Sequence, residues 1–151
     1  QELFSPNAPM TRGMLVTVLY RLAGSPKSAA DSGFADVAAD KYYADAVSWA
    51  AENGIVSGVS DGCFAPDSQV TREQLAAILH RYAKYKGLDV SAGEDTNILS
   101  FDDVQTISGY AVPAMQWACG AGLMQGSNRK LLPTAEATRA QVAAMLHRFL
   151  G

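Results

Sequence analysis

Pro66-Asp67-Ser68-Gln69-Val70-Thr71-Arg72-Glu73-Gln74 decides how this chain is read, because its pattern is written three times. The other copies run from Pro6 to Thr11-Arg12 and from Pro133 to Thr138-Arg139. Each proline stands five residues ahead of its threonine, and an apolar residue (Phe4, Phe64, Leu131) stands two ahead of the proline. Behind each threonine, apolar residues recur at helical spacing: Leu15, Val18, Leu19 and Leu22; Leu75, Ile78, Leu79 and Tyr82; Val142, Met145, Leu146 and Phe149. This is one stripe of an amphipathic helix in three copies. A repeat of this kind sets the architecture, since no single copy can bury its stripe alone.

Threonine ahead of such a run is a helix N-cap. Gln74 and Gln141, three residues on, complete a capping box in the second and third copies, where the first has Met14. Arginine at the first helical position opposes the helix dipole, which is positive at that end. Its repetition as Arg12, Arg72 and Arg139 points to an external task such as gripping an anion. Arg21, Arg81 and Arg148, at the tenth place, lie near helix C-termini where a cation is favourable, so a structural role is preferred for them.

A second segment recurs between the boxes. Phe34-Ala35-Asp36-Val37 is echoed by Phe101-Asp102-Asp103-Val104, Trp49-Ala50 by Trp117-Ala118, Gly54-Ile55 by Gly122-Leu123, and Gly58 by Gly126. Helices are expected from Thr11 to about Ala23, from about Tyr43 to Asn53, behind Thr71 to Tyr85, around Trp117, and behind Thr138. Pro113 suits the first turn of the Trp117 helix. The organisation that follows is a half-repeat over 1–24, a connector over 25–33, a repeat over 34–85, a connector over 86–100, and a repeat over 101–151.

Composition narrows the function. The chain has 151 residues, 48% of them apolar, which suffices for a core. Its net charge of −3, with no basic run, argues against nucleic acid as partner. No apolar stretch approaches the roughly 20 residues of a membrane span, so membrane insertion is not expected. No leader is visible, and Gln1 opens mid-pattern, so the chain reads as a mature or trimmed fragment. No metal or cofactor motif is present. His80 and His147 share a repeat position with Tyr20 and read as helix-packing residues. Cys63 and Cys119 fall at non-equivalent places, and nothing in the sequence requires them to pair.

Together the Phe-x-Asp-Val segments, the Trp-Ala helices, the Gly-Ile-x-x-Gly motif and the Thr-Arg-Glu-Gln and Thr-Arg-Ala-Gln boxes resemble the surface-layer homology (SLH) domain family. The match covers roughly residues 34–85 and 101–150, and the second half of a first repeat. The resemblance implies a mainly helical, pseudo-three-fold assembly with three central Thr-Arg helices and outer Trp helices. It further implies a secreted, non-enzymatic module that anchors a protein to the bacterial cell wall or S-layer by binding secondary cell-wall polysaccharide, often through a pyruvylated amino sugar. The family's box arginine carries over to Arg12, Arg72 and Arg139, and its aspartate and tryptophan positions to Asp36, Asp103, Trp49 and Trp117. The front half of the first repeat has no counterpart here. A missing half-repeat or a neighbouring chain is therefore expected to cover residues 1–24, whose Thr-Arg helix lacks its own Trp helix.

The residues support such a ligand in their own right. A ketal carboxylate is planar and matches a guanidinium fork. Backbone N–H groups at the same helix start would add donors. Tryptophan offers a face to a sugar ring, aspartate accepts from hydroxyls, and Gly58 and Gly126 let the backbone approach. Two readings stand for most of these: Trp49 and Trp117 also suit core packing, which is preferred, and Asp36 and Asp103 also suit turn capping. The alternative functions are a helical protein-interaction or self-assembly module, and a glycosidase using a carboxylate pair from Asp36, Asp103 and Glu73. Repetition disfavours the latter, because catalysis needs one asymmetric constellation.

Overall fold

The computed structural model describes residues 8–27, 33–57, 62–91, 96–124 and 129–150. Phe4, Pro6, Gly58 and Gly126 lie outside them. The described residues are mainly helical, with isolated β-bridges and no strands. The helices are α1 (Arg12–Leu22), α2 (Ala44–Glu52), α3 (Arg72–Tyr85), α4 (Val112–Gly120) and α5 (Arg139–Leu150). Two short 3-10 turns, Val104–Thr106 and Gly109–Ala111, lead into α4. None of these helices is long and apolar enough to cross a membrane.

Two compact units can be described separately: residues 11–69, and residues 1–10 with 70–151. In the first, α1 packs on α2. Leu15, Val16 and Leu19 of α1 are fully buried, and Tyr20 meets Trp49 with ring centroids 5.5 Å apart. Gly13 is required by close approach: a Cβ there would sit 3.0 Å from the Tyr43 ring and 3.1 Å from the Pro66 carbonyl. In the second unit α3 packs on α4, and His80 meets Trp117 at 5.2 Å. Phe149 of α5 reaches both Tyr82 at 5.9 Å and Trp117 at 6.3 Å.

These pairings cross the sequence repeat. α1 and α3 are each covered by the Trp helix that follows in the chain, α2 and α4, because that helix is the next apolar face along it. The expectation that residues 1–24 need an outside cover is therefore corrected: α2 covers α1. The helix left open is α5, where among apolar residues only Val142 and Met145 are buried.

The helix starts are satisfied. Thr11 Oγ1 accepts from Met14 N–H. Thr71 and Gln74 exchange the two bonds of a capping box, as do Thr138 and Gln141. The next N–H groups go to the loop that crosses each helix start. Arg12 and Gly13 N–H donate to Ser68 and Pro66 carbonyls; Arg72 and Glu73 N–H donate to Ala135 and Pro133; Arg139 N–H donates to Ala8. Directly ahead of the threonines, Met10, Val70 and Ala137 pass backbone bonds around a ring: Val70 N–H to Met10, Ala137 N–H to Val70, and Met10 N–H to Ala137. All three residues are buried.

Candidate functional site

The crossing loop gives the box arginines a local task. Arg12 Nε donates to the Phe64 carbonyl at 2.9 Å, Arg72 Nε to the Leu131 carbonyl at 2.8 Å, and Arg139 Nε to the Pro9 carbonyl at 3.2 Å. The positive helix end is thus answered by carbonyl oxygens of a distant loop, which explains why arginine is tolerated there. The helix N–H groups expected to meet a ligand are already engaged by the same loop.

Arg12 is closed off entirely. It is 5% exposed, its Nη2 donates to the Ser57 carbonyl, and its guanidinium lies 4.5 Å from the Phe64 ring centroid. The expectation that Arg12 grips a ligand is corrected to a pin between a helix start and a loop.

Asp36 and Asp103 hold the other side of that loop. Asp36 Oδ1 and Oδ2 accept from Phe64 and Ala65 N–H, each at 2.8 Å. Asp103 repeats this with Leu131 and Leu132 N–H, again at 2.8 Å. Ala65 and Leu132 are left-handed, with φ of 61° and 55°, which aims successive N–H groups at one carboxylate. The Phe64 N–H holds the Asp36 carboxyl below its ordinary range, against burial; Ala65 N–H and the Arg12 charge add to it. For Asp103, burial pushes upward, but the Leu131 and Leu132 N–H groups outweigh it and the carboxyl again lies low. Of the two readings these aspartates carried, the geometry gives turn clamping.

Trp49 and Trp117 are 2% and 3% exposed. Both indoles thus pack in the core, where they bury most area and leave little face open to a sugar ring. Glu73 is also buried, with Oε1 accepting from Ser108 N–H at 2.9 Å and Oε2 from Ser108 Oγ at 2.6 Å. The three carboxylates weighed for glycoside chemistry are thus all structural acceptors. Cys63 and Cys119 are free thiols. Burial raises Cys119, while the Arg72 charge works against it.

Among the described residues, an open groove of about 260 Å³ in the second unit is lined by Arg72, Leu123, Met124, Gln141, Ala144, Met145 and Arg148. Arg72 enters from the start of α3 and Arg148 from the last turns of α5. Leu123 and Met124 follow α4 and supply an apolar wall. Arg148 Nη1 donates to the Leu123 carbonyl at 3.2 Å, which fixes one edge. Burial pushes the Arg72 pKa down, while Cys119 and Asp103 pull it back. An arginine so placed stays a cation. The lining therefore carries two cations and no carboxylate, in a chain whose net charge is −3. The sequence singled out Arg72 as a ligand-binding candidate and gave Arg148 a structural role at a helix C-terminus; both line this groove. Gly58 and Gly126 lie outside the described residues.

The sequence pattern that defines the S-layer homology domain matches residues 33–76 and 100–143, more than half of the chain. The chain belongs to the S-layer homology domain family. It is 31% identical over 97% of its length to an amylopullulanase of Thermoanaerobacterium thermosulfurigenes, of which it spans 8%. It is 31% identical over 96% of its length to the surface-layer 125 kDa protein of Lysinibacillus sphaericus, spanning 12% of that protein. With a cellulosome-anchoring protein of Acetivibrio thermocellus it shares 24% identity over 98% of its length, spanning 33% of the relative. The chain thus spans between 8% and 33% of these relatives, which bear different names.

Proposed function

We propose that this S-layer homology segment is a non-covalent anchoring module at the bacterial cell surface, binding secondary cell-wall polysaccharide through a pyruvylated amino sugar held in the Arg72–Arg148 groove. The observation that carries the reading is the pair of guanidinium groups on one open groove with no carboxylate in its lining. A guanidinium offers parallel donors to a planar carboxylate, and the Leu123–Met124 wall suits the methyl and ring carbons of a ketal sugar. Pockets for drug-sized ligands begin at about 300 Å³, so a space of this size suits one sugar of a polymer rather than a long stretch. Family membership, with relatives named as surface-layer and cellulosome-anchoring proteins, supports a surface role.

The anchor is further proposed to be a pseudo-three-fold assembly of the Thr-Arg helices. Support comes from the cyclic bonding of Met10, Val70 and Ala137, each directly ahead of a box threonine. Calorimetric titration with a pyruvylated amino-sugar fragment tests the ligand. Sedimentation with purified sacculi, before and after acid extraction of the polymer, tests the surface role. Equal binding to extracted and untreated sacculi would sink the proposal.

A further inference from the structure

Arg12 and Arg72 share one backbone frame and end in opposite states. Each Nε donates to the carbonyl of the residue two ahead of the repeat proline, Phe64 at 2.9 Å and Leu131 at 2.8 Å. The N–H of that residue and of the next donates to one aspartate, Asp36 or Asp103, at 2.8 Å throughout. The next residue is left-handed in both loops, Ala65 at φ 61° and Leu132 at φ 55°. The first helix N–H groups meet matching carbonyls, Pro66 and Ser68 or Pro133 and Ala135. Backbone geometry therefore does not separate the two copies. Yet Arg12 is buried, whereas Arg72 is half-buried and lines the open groove.

The side chain carried by the loop does separate them. Phe64 is fully buried, its ring centroid lies 4.5 Å from the Arg12 guanidinium, and the same ring meets Phe34 at 5.5 Å. An aromatic ring so placed occupies a flat face of the guanidinium and holds it by cation–π attraction. Arg12 Nη2 donates to Ser57, which fixes an edge; the face belongs to Phe64. The residue matching Ser57, Gln125, lies outside the described residues. Leu131 is also fully buried but has no π face to offer, although Phe101 stands at the position of Phe34. The third copy is held differently, with Arg139 Nε donating to Pro9, so the comparison is between the first two arginines.

We infer that the residue two ahead of the repeat proline decides whether the box arginine it meets is available to a ligand: Phe64 closes Arg12, and Leu131 leaves Arg72 open. Leu131 is thus a positioning residue for the groove, acting through the face of Arg72 that its side chain leaves uncovered. Phenylalanine at this place would hold the Arg72 guanidinium down on the loop and pair with Phe101, as Phe64 does with Arg12 and Phe34. The consequence for ligand binding rests on the proposed sugar in this groove; access to the two guanidinium groups does not.

The test is the rate at which phenylglyoxal modifies each arginine, resolved by peptide mass mapping, with exposed Arg21 as internal reference. In the wild type Arg72 should react faster than Arg12. Leu131→Phe should slow Arg72 by about tenfold and leave Arg21 unchanged. Leu131→Met, which adds reach but no ring, should leave Arg72 at its wild-type rate. Phe64→Leu should speed Arg12 by about tenfold, and this arm stands even where phenylalanine at 131 overpacks its site. Circular dichroism of each variant establishes that the rates are read on folded protein. Arg72 unslowed in folded Leu131→Phe, or Arg12 unchanged in folded Phe64→Leu, overturns the inference. So does equal slowing of Arg72 in Leu131→Met, which would assign the effect to bulk. Calorimetric titration of the same proteins with a pyruvylated amino-sugar fragment should show weaker binding by Leu131→Phe than by wild type. If the wild type does not bind the fragment, the proposed ligand fails while the modification rates still decide this inference. Undiminished binding by a Leu131→Phe protein whose Arg72 is protected overturns the link between this position and the ligand.

Discussion

Arg72 Nε donates to the main-chain carbonyl of Leu131, 59 residues further along the chain, at 2.8 Å. Leu131 is held from its other side, where its N–H donates to Asp103. One peptide segment is thus gripped by a cation on its carbonyl and an anion on its amide. Arg12, Phe64 and Asp36 repeat the grip in the other unit. Arg12 and Arg72 are therefore each half of a structural device.

Breaking the anionic half should cost stability in a pH-dependent way. Asp103→Ala leaves two N–H groups without their acceptor, and a loss of about 1–2 kcal/mol is expected, since one lies near the surface. Asp103→Asn should lose less, because it keeps one acceptor oxygen. The folded-state pKa values of Asp36 and Asp103 are lowered from 3.8. Their contribution is therefore full above that value and is lost as pH falls through the lower folded value. Urea unfolding of wild type and Asp103→Ala at several pH values should show the two curves converging below about pH 3.8. A constant gap across that range would reject the clamp.

The same loop stores strain at an exposed residue. Leu132 is exposed and left-handed at φ 55°. That conformation costs roughly 1–2 kcal/mol for a residue with a Cβ. Glycine removes the cost but adds about 0.4–1 kcal/mol of unfolded-chain entropy. Leu132→Gly is expected to raise stability by about 0.5–1 kcal/mol, the difference between those terms. Thermal melts check the sign; a lower melting temperature would mean that the leucine side chain packs in solution.

His80 adds a second acid-sensitive term at milder pH. Burial against Trp117 lowers its pKa from 6.5, helped by the charges of Lys84 and Arg81. The unfolded chain then takes up a proton that the folded chain resists. Stability is full above about pH 6.5 and falls as pH drops below it towards the folded value. His80→Tyr, which copies the Tyr20–Trp49 pair, should keep the ring contact and remove this slope. Stability between pH 7 and pH 5, followed by near-ultraviolet dichroism of the tryptophans, checks it. An unchanged slope in the variant would assign the acid loss elsewhere.

Most of the local structure was legible in the sequence because its causes are local. The threonine caps, the capping boxes at Gln74 and Gln141, and the helix stripes depend on residues within a turn or two. The Trp helix was expected over Tyr43 to Asn53 and spans Ala44–Glu52, within the usual end fraying. What was not legible depends on partners far along the chain. Nothing near Thr11 says that its helix is covered by the Trp helix of the next copy. Nothing near Arg12 says that the carbonyl of Phe64, 52 residues away, answers its charge. The helix dipole pointed the arginines to an external anion, whereas Arg12, Arg72 and Arg139 each donate through Nε to a carbonyl far along this chain. Arg148 was passed over for the opposite reason: a sufficient local account hid its place on the groove.

The groove arginines should separate binding from folding. Arg148 donates through Nη1 to Leu123, and Arg72 through Nε to Leu131, so each fixes a carbonyl and lines the groove at once. Truncating Arg72 leaves a buried carbonyl without its donor, and Arg72→Ala is expected to lose about 1–3 kcal/mol of stability. Its effect on a pyruvylated amino sugar should be larger, about 2–5 kcal/mol, because a charge-assisted pair in a groove is lost. Arg72→Lys keeps the charge but neither the fork nor the Nε geometry, so it should recover only part of the binding. Arg148→Ala should weaken the same ligand, although its position on the helix gave no such warning. Arg21→Ala, exposed on α1, should change stability by no more than about 0.5 kcal/mol and leave binding intact. Calorimetric titration and thermal melts on one set of proteins resolve the two effects. If Arg72→Ala and Arg148→Ala melt lower yet bind the sugar like wild type, the groove is a by-product of loop pinning and the ligand sits elsewhere. If only Arg72→Ala loses binding, Arg148 serves the Leu123 carbonyl alone, and the recognition narrows to a single guanidinium.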